Sequence, residues 1–233
     1  MPDINTLLKE LTLEEKISLL TGFNSWYSNK IPRLKIPSMK MSDGPNGVRG
    51  DSTSGKSSAC FPCPISMGST WNKKLIKKIG TALGEEALDK DVDVLLGPTI
   101  NLHRHPLGGR HFENFSEDPF LTAEIAVAYV KGVQSKRVSA CLKHFVANDT
   151  EFERHTVSSN LDERTLREVY LLPFEMGIKK AKAKSVMSAY NKLNNIYCSS
   201  NEDLLVKVLK KEWGFDGYVV SDWGAALETC LLY

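Results

Sequence analysis

Several polar and aromatic residues of this chain follow short apolar runs, and their types can support acid–base or ligand-binding chemistry. They are Asp43, Arg110, Lys143, His144, Tyr190, Asn191, Asp222 and Trp223. Carboxylates and imidazoles transfer protons or act as nucleophiles, and guanidinium and ammonium groups stabilise negative charge. If the apolar runs are parallel strands, these side chains all lie at one edge of the sheet, where α/β enzymes have their active sites.

The elements that must position these residues are short strands alternating with long helices. The apolar runs are 38–42, 92–96, 138–142, 185–189 and 218–221. Helix-start signals lie between them, at Asn72, Asp118-Pro119, Asp162 and Asn201. This alternation predicts a parallel α/β fold with about five strands. The segment from Gly97 to Ser116 is too long for a simple connection, which favours a functional loop.

The N-terminal third is less regular. Thr12 and Glu15 have capping-box spacing, which predicts a helix beginning there, with Leu13, Ile17 and Leu20 as its buried stripe. Residues 22–71 are rich in Pro and Gly and are expected to be irregular. Short extended pieces are predicted at 38–42 and 64–67.

The composition excludes several function classes. The 233 residues carry a net charge of +2, with 42% hydrophobic and 25% charged residues, as in an ordinary globular protein. A balance this close to zero argues against nucleic-acid binding, which needs a clustered basic surface. No run of about 18 apolar residues predicts a membrane span. The polar N-terminus lacks the apolar core of a signal peptide.

The cysteines argue against a disulfide framework and against a metal site. There are five, an odd number scattered over the chain: Cys60, Cys63, Cys141, Cys198 and Cys230. Cys60 and Cys63 have C-x-x-C spacing, but no second Cys or His pair completes a zinc site. Free thiols and the absence of a signal peptide favour a cytoplasmic location.

Five motifs together resemble a known family. They are Ser42–Arg49, Leu96–Asn101, Gly108–Glu113 with Ser116–Pro119, Lys143–Phe145 and Val220–Trp223. In this order they resemble the N-terminal barrel of glycoside hydrolase family 3, in the branch of fungal and yeast β-glucosidases. The resemblance covers residues 10 to about 226 and implies a TIM-type β/α barrel with the active site at the carboxyl ends of its strands.

The resemblance also implies roles for individual residues. Asp222 matches the catalytic nucleophile of a retaining glycosidase, and Asp43 matches a carboxylate that binds outer hydroxyls of the terminal sugar. Lys143 and His144 match donors to sugar hydroxyls. The cations Arg110 and Lys143 are expected to keep the Asp222 carboxylate ionised. The other residues matching sugar-binding positions are Arg110, Tyr190 and Trp223, with Arg154 and Met187 as secondary candidates.

Each role has a structural alternative. Asp222 could be a helix N-cap, Asp43 part of an Asp-Gly-Pro turn, and Arg110 the partner of Glu113 or Glu117 in a loop ion pair. For Tyr190 and Trp223 the alternative is packing in the core. Four histidines are interpreted as structural or surface residues: His103, His105, His111 and His155.

One departure distinguishes branches of the family. Its β-N-acetylglucosaminidases continue Lys-His-Phe with a Pro-Gly-His-Gly type segment that supplies a histidine acid. Here Val146–Asp149 follows Phe145, which disfavours that mechanism. The glucosidase branch takes its acid/base Glu from a second domain. Only eleven residues follow Asp222, so residues 1–233 are expected to form a barrel truncated after the nucleophile strand, without that domain.

The implied function is hydrolysis of terminal non-reducing β-D-glucosyl residues by a retaining mechanism, without a cofactor. Small β-glucosides or oligosaccharides are the expected partners, with no nucleic acid or membrane. Without the acid/base domain, this chain alone is expected to be inactive. The alternative is a non-catalytic sugar-binding fragment or pseudoenzyme. A more distant alternative is a barrel enzyme that acts on phosphorylated substrates. This sequence lacks the glycine motifs that bind phosphate, so it does not support that alternative. An unclosed barrel also predicts marginal solubility or self-association.

Overall fold

Five parallel strands form one sheet in which each strand pairs with the next of the five along the chain. The computed structural model describes residues 3–50 and 56–226; Cys230 and the tail 227–233, where the family resemblance was expected to fade, lie outside them. The strands are β1 (Met41–Asp43), β2 (Val94–Leu96), β3 (Ser139–Phe145), β4 (Ser185–Ser188) and β5 (Tyr218–Ser221). The sheet curls into an incomplete TIM-type barrel, which confirms the predicted fold class.

Side chains alternate between the two faces of this sheet, as the pleat of a strand requires. The convex face packs against the helices through residues such as Leu95, Leu142 and Val186. The concave face carries a second, smaller cluster that comprises Val94, Leu96, Cys141 and Met187, with Trp26, Met41, Tyr218, Val220 and Trp223 packed against it. Both faces are apolar, so the strands appear as continuous apolar runs in the sequence.

Helices cover the convex face. The longer ones are α4 (Lys73–Asp89), α5 (Pro119–Gln134), α7 (Leu172–Ala181) and α8 (Asp203–Glu212), the last with the wider hydrogen bonding of a π-helix. The predicted caps are present, because the side chains of Asn72, Asp118, Asp162 and Asn201 each accept a backbone N–H three residues on. Helices α4 and α5 approach closely at two glycines: a Cβ on Gly80 would lie 2.5 Å from the carbonyl oxygen of Tyr129 and 3.2 Å from the Cα of Gly132.

The helix that Asp162 caps is interrupted. It begins as α6 (Glu163–Thr165), widens over Leu166–Tyr170, and continues as α7. The N–H of Leu171 donates to the carbonyl of Leu166, five residues back. In a small separate sheet, Lys192–Leu193 pairs with Ser158–Ser159 on one side and with its hairpin partner Ile196–Tyr197 on the other.

Two expectations for the N-terminal third are wrong. Helices α1 (Ile4–Glu10) and α2 (Leu13–Leu19) are present, and Thr12 and Glu15 form the predicted capping box. However, the expected buried stripe is exposed, with Leu13 at 68%, Ile17 at 54% and Leu20 at 87%. Helical spacing identified the apolar face but not whether another element covers it. The 64–67 segment is also not extended: Pro64 begins α3 (Pro64–Ser69), where proline is favoured as the first helical residue.

The segment Gly22–Ser28 connects the two ends of the curled sheet. The N–H of Met41 in β1 donates to the carbonyl of Trp26, at 2.8 Å. On the other side, the indole N–H of Trp223 donates to the carbonyl of Ser25, at 3.1 Å. The rings of Trp26 and Trp223 are 5.6 Å apart. Aromatic packing, one backbone hydrogen bond and one indole hydrogen bond therefore link β1 to the end of β5.

No helix within residues 3–50 and 56–226 has both the length and the apolarity needed to cross a bilayer.

Candidate active site

The structure brings the main predicted residues to the carboxyl edge of the curled sheet. Asp43 is the last residue of β1, and Asp222 directly follows β5. Lys143 and His144 lie near the end of β3 and not after it, because that strand extends to Phe145. Since parallel strands end at the same side, residues far apart in sequence meet here.

Asp43 and Lys143 form a direct pair. The ammonium of Lys143 donates to Oδ1 of Asp43, at 3.1 Å. The Lys143 side chain is only 5% exposed, whereas that of Asp43 is 35% exposed. A buried ammonium needs such a partner because removal from water is costly. The pair presents an accessible carboxylate beside a fixed cation, an arrangement suited to binding hydroxyl groups.

The carboxylate of Asp222 contacts the next backbone N–H and the ring of His144. Its Oδ1 accepts the N–H of Trp223 at 2.8 Å, and its Oδ2 lies 3.5 Å from Nε2 of His144. Oδ2 is buried and accepts no hydrogen bond from the described residues. Burial raises the pKa of Asp222, while the Trp223 N–H, the charge of Lys143, the nearby Tyr190 hydroxyl and the charge of Arg110 act in the opposite direction. The two cations thus lower the pKa of Asp222, as predicted, but burial raises it by more.

His144 is almost completely buried. Burial lowers its pKa well below the usual value, and the positive charges of Arg110, Lys143 and Arg154 add to this effect. The imidazole is therefore neutral at physiological pH. Its backbone and ring both contact Asn101, a buried residue that follows β2.

Arg110 has acidic partners of its own. Its guanidinium pairs with Glu113 and lies 4.0 Å from Glu151. The loop ion pair with Glu113, stated above as an alternative, is therefore present. Arg110 nevertheless remains close enough to act electrostatically on Asp222.

Tyr190 and Trp223 contact each other at the end of β4 and β5. The hydroxyl of Tyr190 donates to the carbonyl of Trp223, at 2.7 Å. The guanidinium of Arg154 lies 4.7 Å from the centre of the Tyr190 ring, and the ring of His155 lies 4.3 Å from it. Burial raises the pKa of Tyr190 to about 12. Tyr190 is thus a packed, neutral phenol that supports the site.

The remaining candidates are Met187 and the loop histidines. Met187 belongs to the apolar cluster of the concave face. The rings of His103 and His111 pack together, with His103 hydrogen-bonded to the carbonyls of His111 and Asn114. These contacts agree with a structural interpretation of the loop histidines. Within residues 3–50 and 56–226, no three His, Cys, Asp or Glu side chains are grouped as metal ligands would be.

Sequence reasoning missed a buried pair that anchors the loop after β1. Lys90, directly after α4, donates from Nζ to the carbonyl of Val48, to Ser58 Oγ and to Glu86, at 2.5, 2.6 and 3.1 Å. Glu86 in turn accepts the backbone N–H groups of Val48 and Ala59. This Glu86–Lys90 pair therefore fixes the segment that leaves Asp43. An i, i+4 Glu–Lys spacing is visible in the sequence, but it is typical of exposed helix faces.

Comparison with known proteins identifies relatives over nearly the whole chain. Residues 10–231 match the family described as Glycosyl hydrolase family 3 N terminal domain. A β-glucosidase from Rhizobium radiobacter is 56% identical over 228 residues, which cover 97% of this chain and 28% of that protein. Thermostable beta-glucosidase B from Acetivibrio thermocellus is 49% identical over 231 residues, covering 96% of this chain and 31% of that protein.

Solved structures agree with the fold. Beta-glucosidase 3B from Thermotoga neapolitana in complex with glucose superposes with a TM-score of 0.89 at 47% identity, covering 94% of this chain and 33% of that one. The Kluyveromyces marxianus beta-glucosidase in complex with glucose gives a TM-score of 0.93 at 45% identity, with coverages of 96% and 27%. The chain therefore spans about a third or less of the length of the relatives it matches.

Proposed function

The chain belongs to glycosyl hydrolase family 3 through its N-terminal domain, and from this membership we propose that it provides the nucleophile and glucose-binding part of a retaining β-glucosidase site. The proposed substrates carry a terminal non-reducing β-D-glucosyl residue. The observation that supports this most directly is the meeting of Asp43, Lys143, His144 and Asp222 at one edge of the sheet.

In the proposed mechanism Asp222 is the catalytic residue. Its carboxylate attacks the anomeric carbon, a C–O ester bond forms as the glycosidic C–O bond breaks, and the electron pair leaves with the departing alcohol oxygen. Water later cleaves the ester and restores the carboxylate. Oδ2 of Asp222 accepts no hydrogen bond from the described residues, which leaves it available to the reacting sugar.

Asp43 and Lys143 bind the sugar in this proposal. The half-exposed carboxylate of Asp43 accepts hydrogen bonds from neighbouring hydroxyls, and Lys143 beside it donates to another. Arg110 lies at the edge of the site and contributes positive charge near Asp222. Contacts to hydroxyls that strengthen in the transition state lower the barrier as well as the dissociation constant.

A second candidate function, sugar binding without turnover, is favoured by the partners of the nearby glutamates. A retaining glycosidase also needs a carboxylic acid that protonates the leaving group. Glu113 is paired with Arg110, and Glu151 is paired with Arg154 and lies near Arg110. Both carboxylates are thus engaged by guanidinium groups and are not free to contact a leaving group. We therefore propose that this chain alone binds glucose but does not hydrolyse cellobiose.

Titration with glucose, followed by cellobiose turnover, tests the proposal. Asp43→Ala should abolish measurable glucose binding. Asp216→Ala should not change it, because Asp216 is exposed at the opposite end of β5 and pairs with Lys184. Absence of glucose binding by the folded wild-type chain would contradict both candidate functions. Steady cellobiose turnover would support a complete β-glucosidase and exclude the binding-only candidate, with Glu113, Glu151 and His155 as the first acids to examine.

A further inference from the structure

The side-chain amide of Asn101 has only one orientation compatible with its neighbours. Nδ2 donates to the carbonyl of His144 at 2.9 Å, and Oδ1 accepts the backbone N–H of His144 at 2.8 Å. Rotating the amide by half a turn would place two donors against each other and two acceptors against each other. Asn101 is 4% exposed, so water cannot replace these contacts at low cost.

This fixed oxygen also faces the His144 ring. Nδ1 of His144 lies 3.3 Å from the same Oδ1, which has a second lone pair to offer. An oxygen can only accept, so the contact requires a proton on Nδ1. We propose that Asn101 fixes His144 in its Nδ1–H form, so that Nε2 faces Asp222 as a hydrogen-bond acceptor.

The ring carries no second proton. His144 is buried, and the charged groups around it are Arg110, Lys143 and Arg154 together with the Asp222 carboxyl. Burial and the three cations all disfavour an imidazolium. With its single proton on Nδ1, the ring has only a lone pair on Nε2.

Two acceptors therefore face each other at the site. Nε2 of His144 and Oδ2 of Asp222 are 3.5 Å apart, and Oδ2 accepts no hydrogen bond from the described residues. A hydroxyl has one proton, so a hydroxyl bound here donates to Nε2 and leaves Oδ2 free for the reacting carbon. If the proposed function holds, that hydroxyl belongs to the sugar, so His144 accepts its hydrogen bond. This role is the opposite of the donor role that the family resemblance implied, and Asn101 is a positioning residue that imposes it.

Nitrogen NMR of the imidazole rings tests the assignment without any sugar. The chain is labelled with ¹⁵N-histidine, and multiple-bond proton–nitrogen correlations identify the protonated nitrogen of each ring. Loss of one ring signal in His144→Gln assigns the resonance. We expect a single Nδ1–H tautomer for His144 at neutral pH. An Nε2–H tautomer or an imidazolium would overturn the proposal, whether or not the chain binds glucose.

Variants at position 101 test the role of the amide. In Asn101→Ala, His144 should lose its exclusive Nδ1–H form, whereas Asn101→Asp should keep a proton on Nδ1 because a carboxylate still accepts from it. The matched control is Asn148→Ala, since Asn148 is also buried and its amide makes no hydrogen bond to the described residues. An unchanged tautomer in Asn101→Ala, with the ring signals of a folded chain, would show that Asn101 does not set it.

Discussion

The ammonium of Lys143 lies 3.1 Å from the carboxylate of Asp43, although the two residues are 100 positions apart in the sequence. Lys143 is in β3 and Asp43 ends β1, so the pair reaches across β2. The curl of the sheet makes this contact possible, because it brings the concave sides of alternate strands together.

Replacing Lys143 with Met should weaken glucose binding strongly. Methionine keeps the apolar stem but removes the charged donor, and a hydrogen bond to a charged group contributes about 1.5–3 kcal/mol, or roughly ten- to a hundredfold in affinity. Titration calorimetry measures the change. Lys131→Met is the control, because Lys131 is exposed on α5. Equal glucose affinities for wild type and Lys143→Met would show that Lys143 does not bind the sugar.

The Glu86–Lys90 pair should be important for stability. The Lys90 side chain is 1% exposed. Lys90→Met leaves the Glu86 carboxylate without its cationic partner, and breaking a buried pair on one side costs about 3–5 kcal/mol. Urea denaturation should show this loss, while Lys74→Met on the exposed side of α4 should change little. A Lys90→Met chain as stable as wild type would mean that the loop after Asp43 is held by other contacts.

The sequence predicted most helices and strands but not which of them pack against each other. The capping box at Thr12, the proline start at Pro119 and the alternation of strands and helices are local patterns, and all are present. The burial of Leu13 was predicted wrongly because amphipathic spacing does not reveal a packing partner. Motif order led to Asp43 and Asp222, whereas Asn101 was missed because its role depends on contacts with His144, 43 residues away.

Stability should depend on pH through Asp149. Burial raises the pKa of Asp149 to about 6, against the opposing N–H of Leu102 and the charges of Arg104 and His111. Between 3.8, its usual value, and about 6, the folded chain binds more protons than the unfolded chain. The contribution of Asp149 to the free energy of unfolding therefore falls as pH rises through this range.

Asp149→Asn should remove this dependence, since the amide oxygen can still accept from Leu102, at 3.1 Å in the wild type. The variant should have a higher Tm than wild type at pH about 8 and a similar Tm at pH about 4. Thermal melts at both pH values make the comparison, with the exposed Asp203→Asn as control. A difference in Tm that does not change with pH would exclude this explanation.

The exposed apolar residues predict self-association of the chain. Ile17 and Leu20 are 54% and 87% exposed, and in the described part of the chain no strand pairs with the outer edge of β5. Unpaired edges and apolar patches favour contact between copies. Sedimentation velocity should show oligomers that decrease when Ile17 and Leu20 are changed to Lys. Leu88→Lys, also at an exposed position, is the control. A monodisperse monomer at all concentrations would contradict the prediction.

The role of Asp222 predicts a pH dependence as well. Attack on a sugar requires the ionised carboxylate, and burial raises the pKa of Asp222. The rate of covalent labelling should therefore fall on acidification, with its midpoint at a higher pH than an ordinary aspartate would give. A midpoint at or below the usual value for aspartate would contradict the environment described here.

Mass spectrometry after exposure to 2,4-dinitrophenyl 2-deoxy-2-fluoro-β-D-glucoside tests the central claim most directly. Dinitrophenolate leaves without protonation, so Asp222 needs no acid partner to form the glycosyl ester, and the fluorine slows its hydrolysis. We predict one fluoroglucosyl group per chain, on the peptide that contains Asp222. The label should be absent in Asp222→Asn and retained in Asp216→Asn. A folded chain that remains unlabelled, or that is labelled at another residue, would contradict the assignment of Asp222 as the nucleophile.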